Sequence, residues 1–348
     1  MHRHGVTSTT IAHSAIAAAA LWSGLGLLAA AWLLLGPGRD PELWAGLNLA
    51  ALLTTALPLA TASYLLRFVR WHLLASRIVP GLDLRRSFLA QAVGFGLTVT
   101  PGRLGEVAKL YLVEQRTAVP IARSAPVFVV EKLAEGVGFL ALAFGAGLVL
   151  AASAGLSPGA LASGSNWTRL AWVGLALGAA ILVTLLTTRN TPLRIRVRLP
   201  FRRRAARSAV VRRLLTVARR PIQEFVAGSW RLLGPRLLVQ VLLASLAARL
   251  CDAMVLYIVA QTLGFALSPI AAAFILGTSG TVGGLSMLPG GLGAVEASMA
   301  GLFGAFGAPA SLAIGATLLT RALILWLWVA LGLALVPTVL AFQQRRQP

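Results

Sequence analysis

Lysine, cysteine and acidic residues are scarce in this chain of 348 residues, and each shortage excludes something. A single cysteine, Cys251, leaves no partner for an intrachain disulfide and no cysteine metal cluster. The histidines, His2, His4, His13 and His72, lack metal-ligand spacing, so neither a metal nor a cofactor is expected. There is no Walker A loop, no HExxH and no GxGxxG after a strand-like run, which argues against ATP hydrolysis. Charged residues make up 12% of the chain, where a soluble domain carries about 25%.

Apolar residues fill the gap. They account for 57% of the chain, and the mean hydropathy is +0.81. Ile16–Leu35, Leu47–Leu66, Gly136–Ala154 and Leu170–Thr187 are uncharged runs of roughly the 20 residues that a bilayer crossing needs. Leu237–Leu263 and Leu312–Leu340 are similar but contain isolated charges. Ile16–Leu35 is longer than the apolar stretch of a signal peptide and reads as a retained first span. The expected fold is an all-α polytopic membrane protein, one integral membrane domain over residues 1–348. It has about six full spans.

The net charge of +21 is almost all arginine, because Lys109 and Lys132 are the only lysines. These arginines cluster between apolar runs, as cytoplasmic loops do, so no nucleic acid is expected as a partner. Arg67, Arg70, Arg77, Arg85 and Arg86 follow the second span and mark that side as cytoplasmic. Residues 188–236 hold fourteen arginines against one acid, Glu224, and form the strongest cytoplasmic mark. Val210, Leu214, Val217, Phe225 and Trp230 within this loop suit an interfacial helix on anionic headgroups as well as they suit a solvated loop. The loop separates a first half, residues 1–187, from a second, 237–340. Both termini are expected on the cytoplasmic side. Trp44, Trp71, Trp167, Trp172 and Trp230 lie near span ends and read as interfacial anchors.

Two near-copies stand out: Pro101-Gly102-Arg103-Leu104-Gly105-Glu106-Val107 and Pro289-Gly290-Gly291-Leu292-Gly293-Ala294-Val295, 188 positions apart. Ser87–Thr100, before the first, would cover about 21 Å as a helix, short of a hydrocarbon core of about 30 Å. Positive charge lies on both its flanks, so it reads as a re-entrant hairpin that turns at Pro101-Gly102 and returns through Leu104–Val113. Ile270–Leu288 and Pro289–Phe306 form the second broken unit. Counting spans places the two hairpins on opposite sides, which makes an inverted repeat. Ala62–Arg67 also matches Ala244–Arg249, and Lys132 falls opposite Arg321 when Pro120 is set against Pro309.

Charges inside spans are costly, at least about 2.5 kcal/mol each, and usually face a bundle interior or a cavity. The candidate substrate-binding residues are Arg103, Glu106, Lys109, Glu131, Lys132, Arg249, Glu296 and Arg321, with Pro101, Gly102, Gly105, Pro289, Gly290, Gly291 and Gly293 shaping the bends. On a helix from Gly102, Arg103, Glu106 and Lys109 share a face, and Glu106 can pair with either cation. Glu131 and Glu135 are one turn apart and repel unless a cation lies between them or one is protonated. Arg249 and Asp252 can neutralise each other, as can Glu296 and Arg321.

The segments TPGRLGEVAKLYLV, VVEKLAEGVGFLAL, LPGGLGAVEASMAGLFGAFGAP and TLLTRALILWLW resemble the lysylphosphatidylglycerol synthase transmembrane-domain family, a flippase-like group. The resemblance runs from about Tyr64 to Leu340 and implies a protein of the bacterial or archaeal inner membrane that handles polar lipids. It places Arg103, Gly105 and Glu106 in the first motif, and Pro289, Gly290, Gly291, Gly293 and Glu296 in the second. Arg321 matches a later arginine. Glu131-Lys132 stands where the family has Glu-Arg, and lysine offers a point charge in place of a two-pronged fork. The family's synthases carry an additional soluble catalytic domain, so this chain is expected not to be an enzyme. The leading expectation is a lipid flippase whose partners are membrane lipids with anionic or zwitterionic headgroups. The alternatives are an accessory subunit or intramembrane enzyme of lipid or lipid-linked sugar synthesis, with a biosynthetic partner enzyme, and a secondary transporter of a small solute.

Overall fold

The structure, a computed structural model, describes residues 40–100, 106–117, 119–153, 221 and 223–344. The expected spans Ile16–Leu35 and Leu170–Thr187 lie outside the described residues. So do Pro101, Gly102, Arg103 and Gly105 of the first motif, and Val210, Leu214 and Val217 of the arginine-rich loop. Everything described is helix or short connection, as an all-α membrane protein requires.

Helix α1, Pro41–Ala45, starts with Asp40 accepting a hydrogen bond from the Leu43 amide. The first half then runs α2 (Leu49–Ile78), α3 (Leu84–Gly96), α4 (Ala108–Thr117) and α5 (Ile121–Ser153). A 3₁₀ turn, Leu97–Val99, follows α3 on the approach to the first glycine motif. The second half repeats this order with α6 (Pro235–Thr262), α7 (Pro269–Leu285), α8 (Ala294–Ala305) and α9. The last comprises Ala310–Arg321, one π-helical turn at Ala322–Trp326, and Leu327–Gln344. A 3₁₀ turn, Pro289–Gly291, occupies the corresponding place after α7.

Each half is therefore a long helix, two short helices broken at a Pro-Gly motif, and another long helix. The long ones, over Leu49–Ile78, Ile121–Ser153, Pro235–Thr262 and Ala310–Pro337, are long and apolar enough to cross a membrane. The short ones have 13, 10, 17 and 12 residues. At about 1.5 Å per residue none reaches about 30 Å. Side chains and ring constraint set their starts. Asp83 caps α3 at the Arg86 amide, and Ser268 caps α7 at the Ala271 amide with Pro269 in the first turn.

The halves cross over. Helix α7 packs most extensively on α5 of the other half, and α9 packs on α3, the equivalent pairing in reverse; α2 and α6 pack on each other. Reciprocal contacts of this kind are what a two-fold relation imposes on an interface. Small residues make the crossings close. A side chain at Gly277 would meet the Ala143 backbone, one at Gly280 the Phe139 ring, and one at Gly332 the backbone of Ala92 and Gly96. The two 3₁₀ turns also touch, bringing both broken units to one place.

Polarity is arranged outside-in. Leu53, Leu65, Leu148, Leu243, Leu250 and Leu327 are exposed, while Arg67, Arg70, Glu131, Arg249, Asp252 and Arg321 of the long helices are buried. This is the arrangement expected of helices in lipid. Two expectations are corrected here. Arg67 and Arg70 do not lie in a cytoplasmic loop: the helix of the second span continues to Ile78 and carries both inside, leaving only Arg77, Arg85 and Arg86 exposed. Trp71 is not an interfacial anchor but is fully buried. Residues 223–232 of the arginine-rich loop are helical, with Phe225 exposed and Trp230 half-buried.

Candidate functional site

Helical spacing brings the buried charges onto a few faces. Arg67 and Arg70 lie three apart on α2, Glu131 and Glu135 four apart on α5, and Arg249 and Asp252 three apart on α6. Because α2, α5 and α6 pack on one another, these faces meet. The result is one contiguous polar cluster inside an apolar bundle.

Asp252 sits at its centre. Its Oδ2 accepts from Arg67 Nη2 at 2.6 Å and lies 3.2 Å from Arg249 Nη1. The expected Arg249–Asp252 neutralisation is present, but Asp252 also serves a second guanidinium from the other half. Glu131 is shared in the same way, with Lys109 Nζ at 2.5 Å and Arg70 Nη2 at 3.5 Å. Gln91 accepts from the same ammonium at 3.4 Å, and Trp71 presents its ring to it at 4.4 Å. Arg70 also donates to Ser245 at 3.1 Å.

Lys132 lies between two carboxylates, 2.5 Å from Glu106 and 3.0 Å from Glu135. Glu106 also accepts from the Thr98 hydroxyl at 2.7 Å. Glu106 thus pairs across to α5, where the spacing had pointed to its own helix, and Lys109 of that helix goes to Glu131 instead. Glu131 and Glu135 each have their own cations: Lys109 and Arg70 attend the first, and Lys132 the second, with Arg249 4.0 Å from Glu135.

The second glycine motif is tied down separately. Arg321 Nε donates to Glu296 Oε1 at 2.7 Å, and its Nη2 donates to the Gly290 carbonyl at 2.8 Å. The other oxygen of Glu296 accepts from the Gly293 amide at 2.8 Å. One arginine and one glutamate therefore clasp a bend whose Gly290, Gly291 and Gly293 all have positive φ, at 58°, 69° and 80°. In the first half Lys132, which the repeat sets opposite Arg321, pairs with Glu106 just after the first motif, with a point charge in place of a fork.

A cavity of about 80 Å³ lies within the cluster, lined by Arg67, Arg70, Lys109, Glu131, Arg249 and Arg321 among others. At roughly 10–15 Å³ per water on this measure, it has room for several waters. Apolar groups from the second half close one wall, including Leu276, Met299 and Ile324. Among the described residues, no three His, Cys, Asp or Glu side chains gather around a possible metal ion.

Of the candidates named from sequence, Glu106, Lys109, Glu131, Lys132, Arg249 and Arg321 line this cavity, and Glu296 holds Arg321 from beside it. Arg103 lies outside the described residues. Sequence reasoning missed Arg67 and Arg70, although a signal was present: the short repeat sets Arg67 opposite Arg249, already a candidate. It also missed Gln91 and Thr98, which carry no charge to draw attention.

A family described as "Lysylphosphatidylglycerol synthase TM region" matches residues 11–332 of the chain. A "UPF0104 membrane protein" of the archaeon Methanothermobacter thermautotrophicus is 40% identical over 92 residues, 26% of this chain and 28% of that protein. The matched stretch thus spans little more than a quarter of that relative's length. No solved structure matches the chain.

Proposed function

Because the chain belongs to the lysylphosphatidylglycerol synthase transmembrane-region family, we propose that it is a carrier of polar lipids across the bacterial or archaeal cytoplasmic membrane. The observation that carries this reading is the buried ion cluster at the meeting point of two broken-helix units. Charges in a bilayer interior are expensive and mark substrate or ion pathways, and paired broken helices in the two halves of a transporter mark its binding site.

In this reading the two Pro-Gly units are re-entrant and enter from opposite leaflets, so the repeat is inverted and both termini are cytoplasmic. Arg103, Glu106, Lys109, Glu131, Lys132 and Arg249 contact an anionic or zwitterionic headgroup, while acyl chains stay in lipid. Glu296 and Arg321 act on it through the bend they clasp. Rocking of one half against the other exposes the cluster to each leaflet in turn, and the clasps at Lys132–Glu106 and Arg321–Glu296 are the contacts that exchange.

The test is translocation of a fluorescent phospholipid in reconstituted liposomes, read by its loss of accessibility to an impermeant quencher. Wild-type protein should speed exchange between leaflets over protein-free vesicles, and Arg103→Ala, confirmed as folded, should slow it. Equal rates for wild type and empty vesicles refute the carrier; equal rates for wild type and Arg103→Ala refute the headgroup mechanism.

A further inference from the structure

The charge of the cluster is unevenly spread. On one side are four cations, Arg67, Arg70, Lys109 and Arg249, each less than a tenth exposed. The carboxylates that engage them most closely are two, Asp252 and Glu131, and each is shared by two cations. Glu135 comes within 4.0 Å of Arg249, but its other oxygen is 3.0 Å from Lys132. This side therefore carries more positive than negative charge in a place where an uncompensated charge is strongly disfavoured.

Unused donors coincide with the excess. Arg249 Nε and Nη2, Arg67 Nε and Arg70 Nε are buried and have no hydrogen-bond partner among the described residues. All three arginines line the cavity. The internal repeat is unequal at this point. Arg67 and Arg249 are 182 positions apart, and so are Arg70 and Asp252. A symmetric site would hold two Arg–Asp pairs. Here position 70 is arginine where position 252 is aspartate, which leaves this side of the cluster cationic.

The geometry points to an oxyanion site formed by Arg67, Arg70 and Arg249, with Lys109 behind it, for a tetrahedral group of the phosphate class. Guanidinium forks match such groups by paired N–H donation. The ligand's chemistry is that of a lipid headgroup phosphate or of free inorganic phosphate. Its assignment as the headgroup-phosphate subsite rests on the carrier reading; the anion site itself does not.

The test measures thermal unfolding of the whole protein in nanodiscs, with inorganic phosphate titrated in. One set of discs is made of phosphatidylglycerol, the other of a phosphate-free glycosyl diacylglycerol. Arg70→Met and Arg249→Met are informative because each leaves its carboxylate a second cation, Lys109 for Glu131 and Arg67 for Asp252. In glycolipid discs, phosphate should stabilise the wild type saturably, and either variant should raise the half-saturating concentration by about tenfold or more, the loss of a charge-assisted contact. Arg77→Met, removing an exposed cation of α2, should leave it unchanged. Without phosphate, both cluster variants should be at least as stable as wild type, since each removes unbalanced charge.

Stabilisation in phosphatidylglycerol discs that added phosphate no longer increases identifies the lipid as the source. The same phosphate response in both discs identifies the free ion. No saturable response in either disc overturns the site, as does equal destabilisation of the cluster variants with and without phosphate, the mark of a purely structural role. Anion binding without lipid translocation sinks the carrier and keeps the site; translocation without anion binding does the reverse.

Discussion

Asp252→Asn tests whether the two halves are held together by one shared charge. The substitution keeps side-chain shape and removes the carboxylate that Arg67 meets at 2.6 Å and Arg249 at 3.2 Å. The side chains are 1%, 9% and 3% exposed, so water does not replace the lost partner. Breaking a buried pair by removing one partner costs about 3–5 kcal/mol, because the other charge is left uncompensated. At about 1.4 kcal/mol per factor of ten, that is a shift of more than a hundredfold in the folding equilibrium. Arg249→Met is the contrasting change. It leaves Asp252 paired with Arg67, reduces the buried positive charge, and keeps a thioether against the Phe139 ring that the guanidinium covered at 4.5 Å. It should be at least as stable as wild type. The double variant strands one cation where Asp252→Asn strands two, so it should be more stable than Asp252→Asn alone. The assay is reversible unfolding in SDS mixed micelles, analysed as a double-mutant cycle. Additivity of the two substitutions within about 0.5 kcal/mol shows that the residues do not interact and refutes the reasoning.

Further expectations concern the clasp and the helix crossings. Glu296→Ala removes the Arg321 partner at 2.7 Å and the acceptor of the Gly293 amide at 2.8 Å. It should cost about 1–2 kcal/mol and speed hydrogen exchange at residues 289–293; unchanged exchange there means that the bend holds its shape without the clasp. Gly332→Ala places a methyl group against the backbone of Ala92 and Gly96, and overpacking of this kind costs about 1–3 kcal/mol. Gly284→Ala, whose new methyl meets nothing within 4 Å, should stay within about 0.5 kcal/mol of wild type in the same unfolding assay.

Much of this architecture was legible in the chain because lipid makes simple demands. A run such as Leu237–Leu263 can only be a span, and Pro235–Thr262 is one helix. The paired motifs also announced the broken helices, and Pro289–Gly291 is a turn between α7 and α8. Charge was less legible, because the positive-inside rule counts arginines without asking which side of a helix they face. Arg67 and Arg70 follow an apolar run and look like loop residues. The helix carries on past them, and Tyr64, Phe68 and Trp71 bury with them on one face. The partner of Glu106 was equally hidden. Local spacing offered Arg103 and Lys109, while the packing of α4 on α5 supplies Lys132. Long-range pairing depends on which helices touch, and periodicity within one helix does not encode that.

Backbone and charge follow different symmetries, and the difference bears on mechanism. The helices repeat, and their contacts are reciprocal: α7 on α5, α9 on α3, α2 on α6. The cations of the two clasps repeat as well, Lys132 opposite Arg321. The core of the cluster does not repeat. Arg70 stands opposite Asp252, and Glu131 stands opposite Thr320, whose buried hydroxyl has no partner among the described residues. Two equivalent binding sites would each need a full set of charges, whereas this molecule assembles one set from both halves. Arg67 reaches across to Asp252, and Arg70 reaches Glu131 and Ser245. A carrier that alternates by exchanging the conformations of its halves needs a scaffold with two equivalent states and a single site that both halves share. A duplicated frame around an unduplicated charge cluster supplies both. In the proposed carrier, motion therefore belongs to the repeated parts, the broken helices and their clasps, while Arg67, Arg70, Arg249 and Asp252 stay on the long helices that cross between them.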